Sequence, residues 1–259
     1  MRPYVEPVAE MKLLEQGELC FLYTPRVRPR PEFPFEADER VAGLRDVQRL
    51  HVVLSPRDRS VYRRLLVGRK RMPEPKRQRF WAEIERVCES ADEVSEDLGR
   101  FEYETKTRGP RVQPPARPAG KGVYALAQHG THAHLAYRLE SPRPQGEVQR
   151  ALRILPEASY IVAAFNPEAP PRLGRRPPDV DPLPEWMREK FRDRKFAPLD
   201  SDLFDVAGLE LVLIGASDEV ERELGLHLDP PSRGIDLLRD LRLDPRDHPL
   251  RALADGTWT

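Results

Sequence analysis

Two cysteines in 259 residues are too few for a disulfide framework. Cys20 lies in the apolar run "ELCFLY" and Cys88 among apolar neighbours, so both read as small core residues. Net charge is also missing: 43 Lys and Arg are balanced by 43 Asp and Glu, so no global field draws in nucleic acid or an acidic membrane. Any such binding has to use a local patch. No stretch approaches the ~18 apolar residues of a membrane helix. The first sixteen residues, "MRPYVEPVAEMKLLEQ", carry charge throughout and do not read as a signal peptide. A cytoplasmic protein is the expectation. Absent too are a Ser/His/Asp signature, a glycine-rich phosphate loop, a dinucleotide fingerprint and a His-Glu-x-x-His zinc helix, so no cofactor is indicated.

What is abundant is charge, at 33%, and proline, at 28 residues, against a hydrophobic content of 39%. That content still suffices for a sizeable core, and the chain reads as one compact domain over 1–259, with a possible sub-boundary in the Pro/Gly/Arg segment 108–120. Strong β-formers between Pro and Gly predict strands in "GELCFLYTPRV", "DVQRLHVVLSP" and "SVYRRLLVGRKRMP". Residues 79–98 predict a helix, because Phe80, Ile84, Val87, Cys88, Ala91, Val94 and Leu98 fall on one helical face. "RFEYETKT" alternates as a strand, and "RGPRVQPPARPAGKG" reads as a loop. Short helices are expected in "GEVQRALRI", "EWMREKFRDRKF", "DEVERELGL" and "GIDLLRDLRL". The third of these would start with a capping box between Asp218 and Glu221.

Segments 159–165 and 209–214 are apolar without alternation, as in strands covered on both faces. They are placed centrally, and a parallel pairing with the 185–196 helix as crossover would fit. The sum is an α+β fold: a mixed, largely antiparallel sheet, a β-hairpin at 122–140, two buried central strands and packed amphipathic helices.

Three segments carry candidate chemistry. In "QHGTHAHLAYRLE" a two-residue Gly130-Thr131 turn sets His129 opposite His132 and Ala127 opposite His134. The three imidazoles then share a face with alanines, while Tyr124, Leu126, Leu135 and Tyr137 take the core face. Three histidines on one face suit a Zn²⁺ ion with an open position, yet no orienting carboxylate lies near in sequence. A tight zinc site is therefore not expected.

In "FEYETKT", Glu102, Glu104 and Lys106 share one face and Phe101, Tyr103 and Thr105 the other. Glu104-Thr105-Lys106 resembles the Glu-x-Lys half of the motif of restriction-endonuclease-like nucleases, whose carboxylates hold Mg²⁺. The resemblance covers three residues, and the family's acidic residue at an upstream strand end has no counterpart.

The third segment is basic. Lys106, Arg108, Arg111, Arg117 and Lys121 lie in a stretch, 106–139, with no acidic residue. A second run supplies Arg69, Lys70, Arg71, Lys76, Arg77 and Arg79. Arginine forks and glycines that let the backbone approach an anion suit phosphate. The leading expectation is an anionic partner, nucleic acid or a phosphorylated small molecule, bound through 106–121. A metal-dependent hydrolase or nuclease built on the histidine hairpin or the Glu-x-Lys strand is the alternative. A structural or interaction protein, with proline-rich surface loops, is the third.

Overall fold

A computed structural model describes residues 11–30, 40–170, 183–228, 237–241, 243 and 248–258. Eight of its strands form a closed antiparallel barrel. The first four barrel strands are β1 (Met11–Pro25), β3 (Val47–Pro56), β4 (Tyr62–Val67) and β5 (Arg79–Cys88), each paired with the next. The second four are β8 (Arg117–His129), β9 (His132–Ser141), β10 (Glu157–Phe165) and β12 (Glu210–Ser217), again each paired with the next. Two seams close the cylinder, β1 against β8 and β5 against β12. The barrel is thus two four-stranded meanders joined first strand to first and last to last. A short β11 (Phe196–Pro198) extends one end of β10.

A barrel of eight strands is just wide enough to be filled by side chains. Alternation supplies them: Leu19, Phe21 and Tyr23 from β1 meet Leu50, Val52 and Leu54 from β3 and Tyr124 and Leu126 from β8 in one apolar cluster. Glycines sit where strands close in on each other. A Cβ on Gly122 would lie 2.1 Å from the Arg138 carbonyl oxygen.

One end of the barrel is closed by charge. Arg63 is fully buried and forks onto both carboxylate oxygens of Glu15, at 2.6 and 2.9 Å. Its Nε donates to Asp205 at 2.7 Å, its guanidinium lies 4.7 Å from the Phe204 ring centroid, and the Tyr124 hydroxyl donates to Glu15 at 2.6 Å. Four donors and acceptors satisfied together offset the desolvation of a buried ion pair.

The outer wall is covered in patches. α1 (Ala91–Ser95) and α6 (Leu237–Asp240) bring Val94 and Leu237 onto Cys20, Leu22 and Val53. α5 (Val220–Leu224) packs Val220 and Leu224 onto Val123, Ala125 and Ala136. β6 (Phe101–Thr105) and β7 (Gly109–Gln113) form a hairpin that, with β2 (Arg28–Pro29), makes a separate three-stranded sheet.

The fold class therefore differs from the α+β expectation: strands dominate, and the described helices, none longer than seven residues, are accessories. The decisive element is 79–98. It holds strand β5 and then the short α1, not one long amphipathic helix. Phe80 and Ile84 are spaced by four, which fits a period of 3.6 and a period of 2 alike, and beyond Ile84 a register shift turns Val87 to the core and Cys88 to the outer cluster. The difference lies at Ala82, which faces the core between Phe80 and Ile84, and at Trp81, which points outward against Phe165. The two apolar strands are neighbours in the barrel, but they run antiparallel rather than parallel, so no crossover helix joins them. α3 (Glu185–Phe191) instead precedes β11 and α4 (Ser201–Phe204) on the way to β12. The proline-rich segment 108–122 is not a loop but contains β7 and the start of β8, where a register shift near Pro118 absorbs the missing N–H. The capping box is also absent. α5 begins after Glu219, and its first amides are taken by Ser217 Oγ and Glu157. No helix among the described residues is long and apolar enough to cross a membrane.

Candidate ligand pocket

The pocket begins with three outward positions on adjacent strands. On β3, Leu50, Val52 and Leu54 point inward, so His51 points out. On β4, Leu65 and Val67 point inward and Arg64 lies on the outer wall beside Val53. On β5, Ala82 and Ile84 point inward and Glu85 out. The Glu85 carboxylate accepts from Arg64 Nε at 2.7 Å and lies 3.1 Å from His51 Nδ1, an approach bent away from a straight N–H···O line. Arg64 is anchored further by the carbonyls of Val94, at 2.8 Å, and Glu96, at 2.7 Å.

The electrostatics follow. Desolvation opposes charge on Glu85, but His51 and Arg64 overcome it and lower its pKa to about 2. Desolvation lowers His51 from its ordinary value, outweighing the attraction of Glu85. At neutral pH the floor thus holds an ionised carboxylate, a buried guanidinium and a neutral imidazole.

The small sheet overhangs this floor. Together they bound a pocket of about 290 Å³, lined by Thr24, Gln48, Arg49, His51, Arg64 and Glu85 below and by Phe101, Tyr103 and Gln113 at the lip, with Asp97, which is paired with Arg86, also in its lining. Phe101 and Tyr103 are 45% and 39% exposed, unusual for large aromatics, and their ring centroids stand 5.8 Å apart. Arg111 pairs with Tyr103 across the hairpin and shares its face. Gln113 donates to the carbonyl of Pro25 at 2.9 Å, which ties the overhang to the end of β1.

Two floor groups are left open. His51 is 2% exposed, and its Nε2 has no hydrogen-bond partner among the described residues. The Thr24 hydroxyl, also buried, has none either. Thr24 pairs with Arg49 and Leu22 with His51, so Thr24 and His51 are diagonal neighbours on one face, with a backbone spacing of ~7–8 Å.

Compared with known proteins, the chain matches no family model, no curated protein and no solved structure.

The candidates named from sequence fall in different places. The histidine hairpin has the expected register, His129 opposite His132 and Ala127 opposite His134, and Gly130 takes a φ of +58°. The rings do not converge. His129 and His134 are 6.1 Å apart between centroids, His132 turns to Thr131, and no group of three ligands able to hold a metal occurs among the described residues. Glu102 and Glu104 lie on β6, where Glu102 pairs with Arg100 and Arg30, on the face away from the pocket. The basic segment is not a single surface. Lys106 and Arg108 stand at the exposed hairpin tip and Arg111 on β7, whereas Arg117 is buried opposite Tyr23 and Lys121 lies on β8 opposite Cys20. In the second run, Lys76 and Gln78 are tied to Gly215 of β12 and Arg77 pairs with Glu74.

Sequence reasoning missed Thr24, His51, Arg64 and Glu85. The one available signal was His51, a polar residue in the apolar strand "RLHVVL". Its partner Glu85 was hidden by the helical reading of 79–98. A second depression, of about 510 Å³, is lined by Trp186, Lys190, Arg192 and Arg194. It has no buried open polar group among the described residues, and Lys190 is already bound by Asp200 and Asp202.

Proposed function

We propose that the protein is a ligand-binding barrel whose wall pocket takes a small planar molecule, with an anionic substituent where one is present. The observation that carries this is the pair of buried, unpartnered polar groups, His51 Nε2 and Thr24 Oγ1, on the floor of an open pocket. A buried polar atom without a partner costs about 1–3 kcal/mol, and a bound molecule that hydrogen-bonds to it recovers that cost. The exposed Phe101 and Tyr103 rings offer a stacking surface at the entrance. The pocket volume lies at the small end of the range for ligand sites, which suits one ring system.

Arg49 and Arg111 keep the anionic partner in play. Arg49 is half exposed and only loosely paired, 3.9 Å from Glu85, and Arg111 has no acidic partner within 4 Å among the described residues. Both are arginines, whose planar forks suit carboxylate and phosphate. A reading in which Lys106, Arg108, Arg111, Arg117 and Lys121 act together on a nucleic-acid backbone is not supported, because Arg117 is inside the barrel.

Ligand-observed NMR with a library of planar heteroaromatic fragments tests the reading. Hits are expected on the wild-type chain and are expected to vanish in a Phe101→Ala/Tyr103→Ala double variant, whose exposed positions leave the barrel intact. Hits that survive in that variant would place binding elsewhere.

A further inference from the structure

We infer that the pocket selects a heterocycle presenting a hydrogen-bond donor beside an acceptor on one ring edge, the donor going to His51 Nε2 and the acceptor taking the Thr24 hydroxyl. This rests on the pocket being a ligand site, as proposed above, and goes on to name its ligand class. Nucleobases are the common molecules of that chemistry: the N–H and C=O of an oxo-base edge, or the amino group and ring nitrogen of an amino-base edge.

The argument starts with the imidazole tautomer. A neutral ring carries one proton, and its position follows the neighbours of the two nitrogens. His51 Nδ1 lies 3.1 Å from an ionised carboxylate, so the proton belongs on Nδ1. That leaves Nε2 as a bare acceptor in a place that water reaches poorly. Its complement is an N–H or O–H on the ligand, not a carbonyl or a carboxylate.

Thr24 completes the pattern. Its hydroxyl can turn to donate or accept, so beside the fixed acceptor it is free to donate to the ligand's acceptor atom. The two groups project from one face of neighbouring strands, and nothing else among the described residues occupies either. Arg64 is not available for this role, because Glu85 and two carbonyls already hold it. The lip then fits the rest of such a molecule. Phe101 and Tyr103 offer π faces to the ring, and Arg49 in the lining, with Arg111 across the hairpin from Tyr103, supplies cations for a phosphate on an attached sugar.

Titration calorimetry with uridine, inosine, cytidine and adenosine, and with their 5′-monophosphates, decides the matter. The controls are 3-methyluridine, 1-methylinosine, N4,N4-dimethylcytidine and N6,N6-dimethyladenosine, which keep the ring but lose the edge donor. At least one parent nucleoside should bind, and its edge-methylated counterpart should bind at least about tenfold more weakly, the value of one lost neutral hydrogen bond. Thr24→Val should weaken the parent by a similar factor and Thr24→Ser should restore it. In ¹⁵N NMR, His51 should be the Nδ1–H tautomer in the free protein, and its Nε2 resonance should shift on binding. A methylated nucleoside that binds equally well overturns the donor–acceptor pairing but leaves ring binding in the pocket standing. Failure of all the nucleosides, while other planar fragments still bind and are lost in the Phe101/Tyr103 double variant, also overturns it without touching that reading. Failure of every ring compound removes both.

Discussion

Among single residues, Arg63 carries the heaviest structural duty. It is fully enclosed, yet satisfied by Glu15, Asp205 and the Phe204 ring. Removing a buried ion-pair partner usually costs about 3–5 kcal/mol, and because Asp205 still pairs with Arg63 the loss of Glu15 belongs at the lower end, about 3 kcal/mol. Glu15→Gln is therefore expected to lower the unfolding free energy by that amount in chemical denaturation. A change below about 1 kcal/mol would show that water reaches the barrel end. His134 makes a second prediction at this scale. Burial, followed by its neighbours His129 and His132, lowers its pKa from 6.5 to about 4. The unfolded chain then binds a proton that the folded chain refuses. Stability from this residue is complete above pH 6.5 and is lost as the pH falls toward 4. His134→Asn should flatten that part of the stability–pH curve. His51, lowered in the same sense, contributes with the same sign.

The telling element is β5. Ile84 is fully buried in the barrel core, and Ile84→Ala should cost about 2–5 kcal/mol. Its outward neighbour Glu85 should matter for the pocket and less for the core. Glu85→Gln would leave Arg64 without its carboxylate and free His51 to move its proton, so the pH dependence of ligand binding should change. Isothermal titration at several pH values would read this. The strands that punctuation marked, β1, β3 and β4, were legible, and so was the hairpin down to its register, because Gly130-Thr131 sets the turn and the aromatic and leucine side chains choose a face. The closed barrel was not legible. Closure depends on pairings such as Cys20 with Lys121 and Ala82 with Leu211, which no local periodicity encodes. The pocket was hidden for the same reason. Thr24, His51 and Glu85 are separated in sequence, and only the lateral order of β1, β3, β4 and β5 brings them side by side. The facing of Phe101 and Tyr103 away from Glu102 was visible in the strand's alternation, but what they face was not.

At the scale of the whole molecule, the pairing of first strand with first and last with last has a consequence in time. The leading meander leaves the ribosome with both of its edges bare and its apolar face uncovered. Its partner strands begin at Arg117 and end at Ser217. At ~5–20 residues per second, the second meander takes roughly 5–20 s to appear. Until then, unsatisfied backbone along β1 and β5 waits in the company of other nascent chains, where strand edges recruit one another. A chain cut after Cys88 should stay in that condition permanently, and should sediment as aggregate or associate with chaperones, whereas the full-length chain should not.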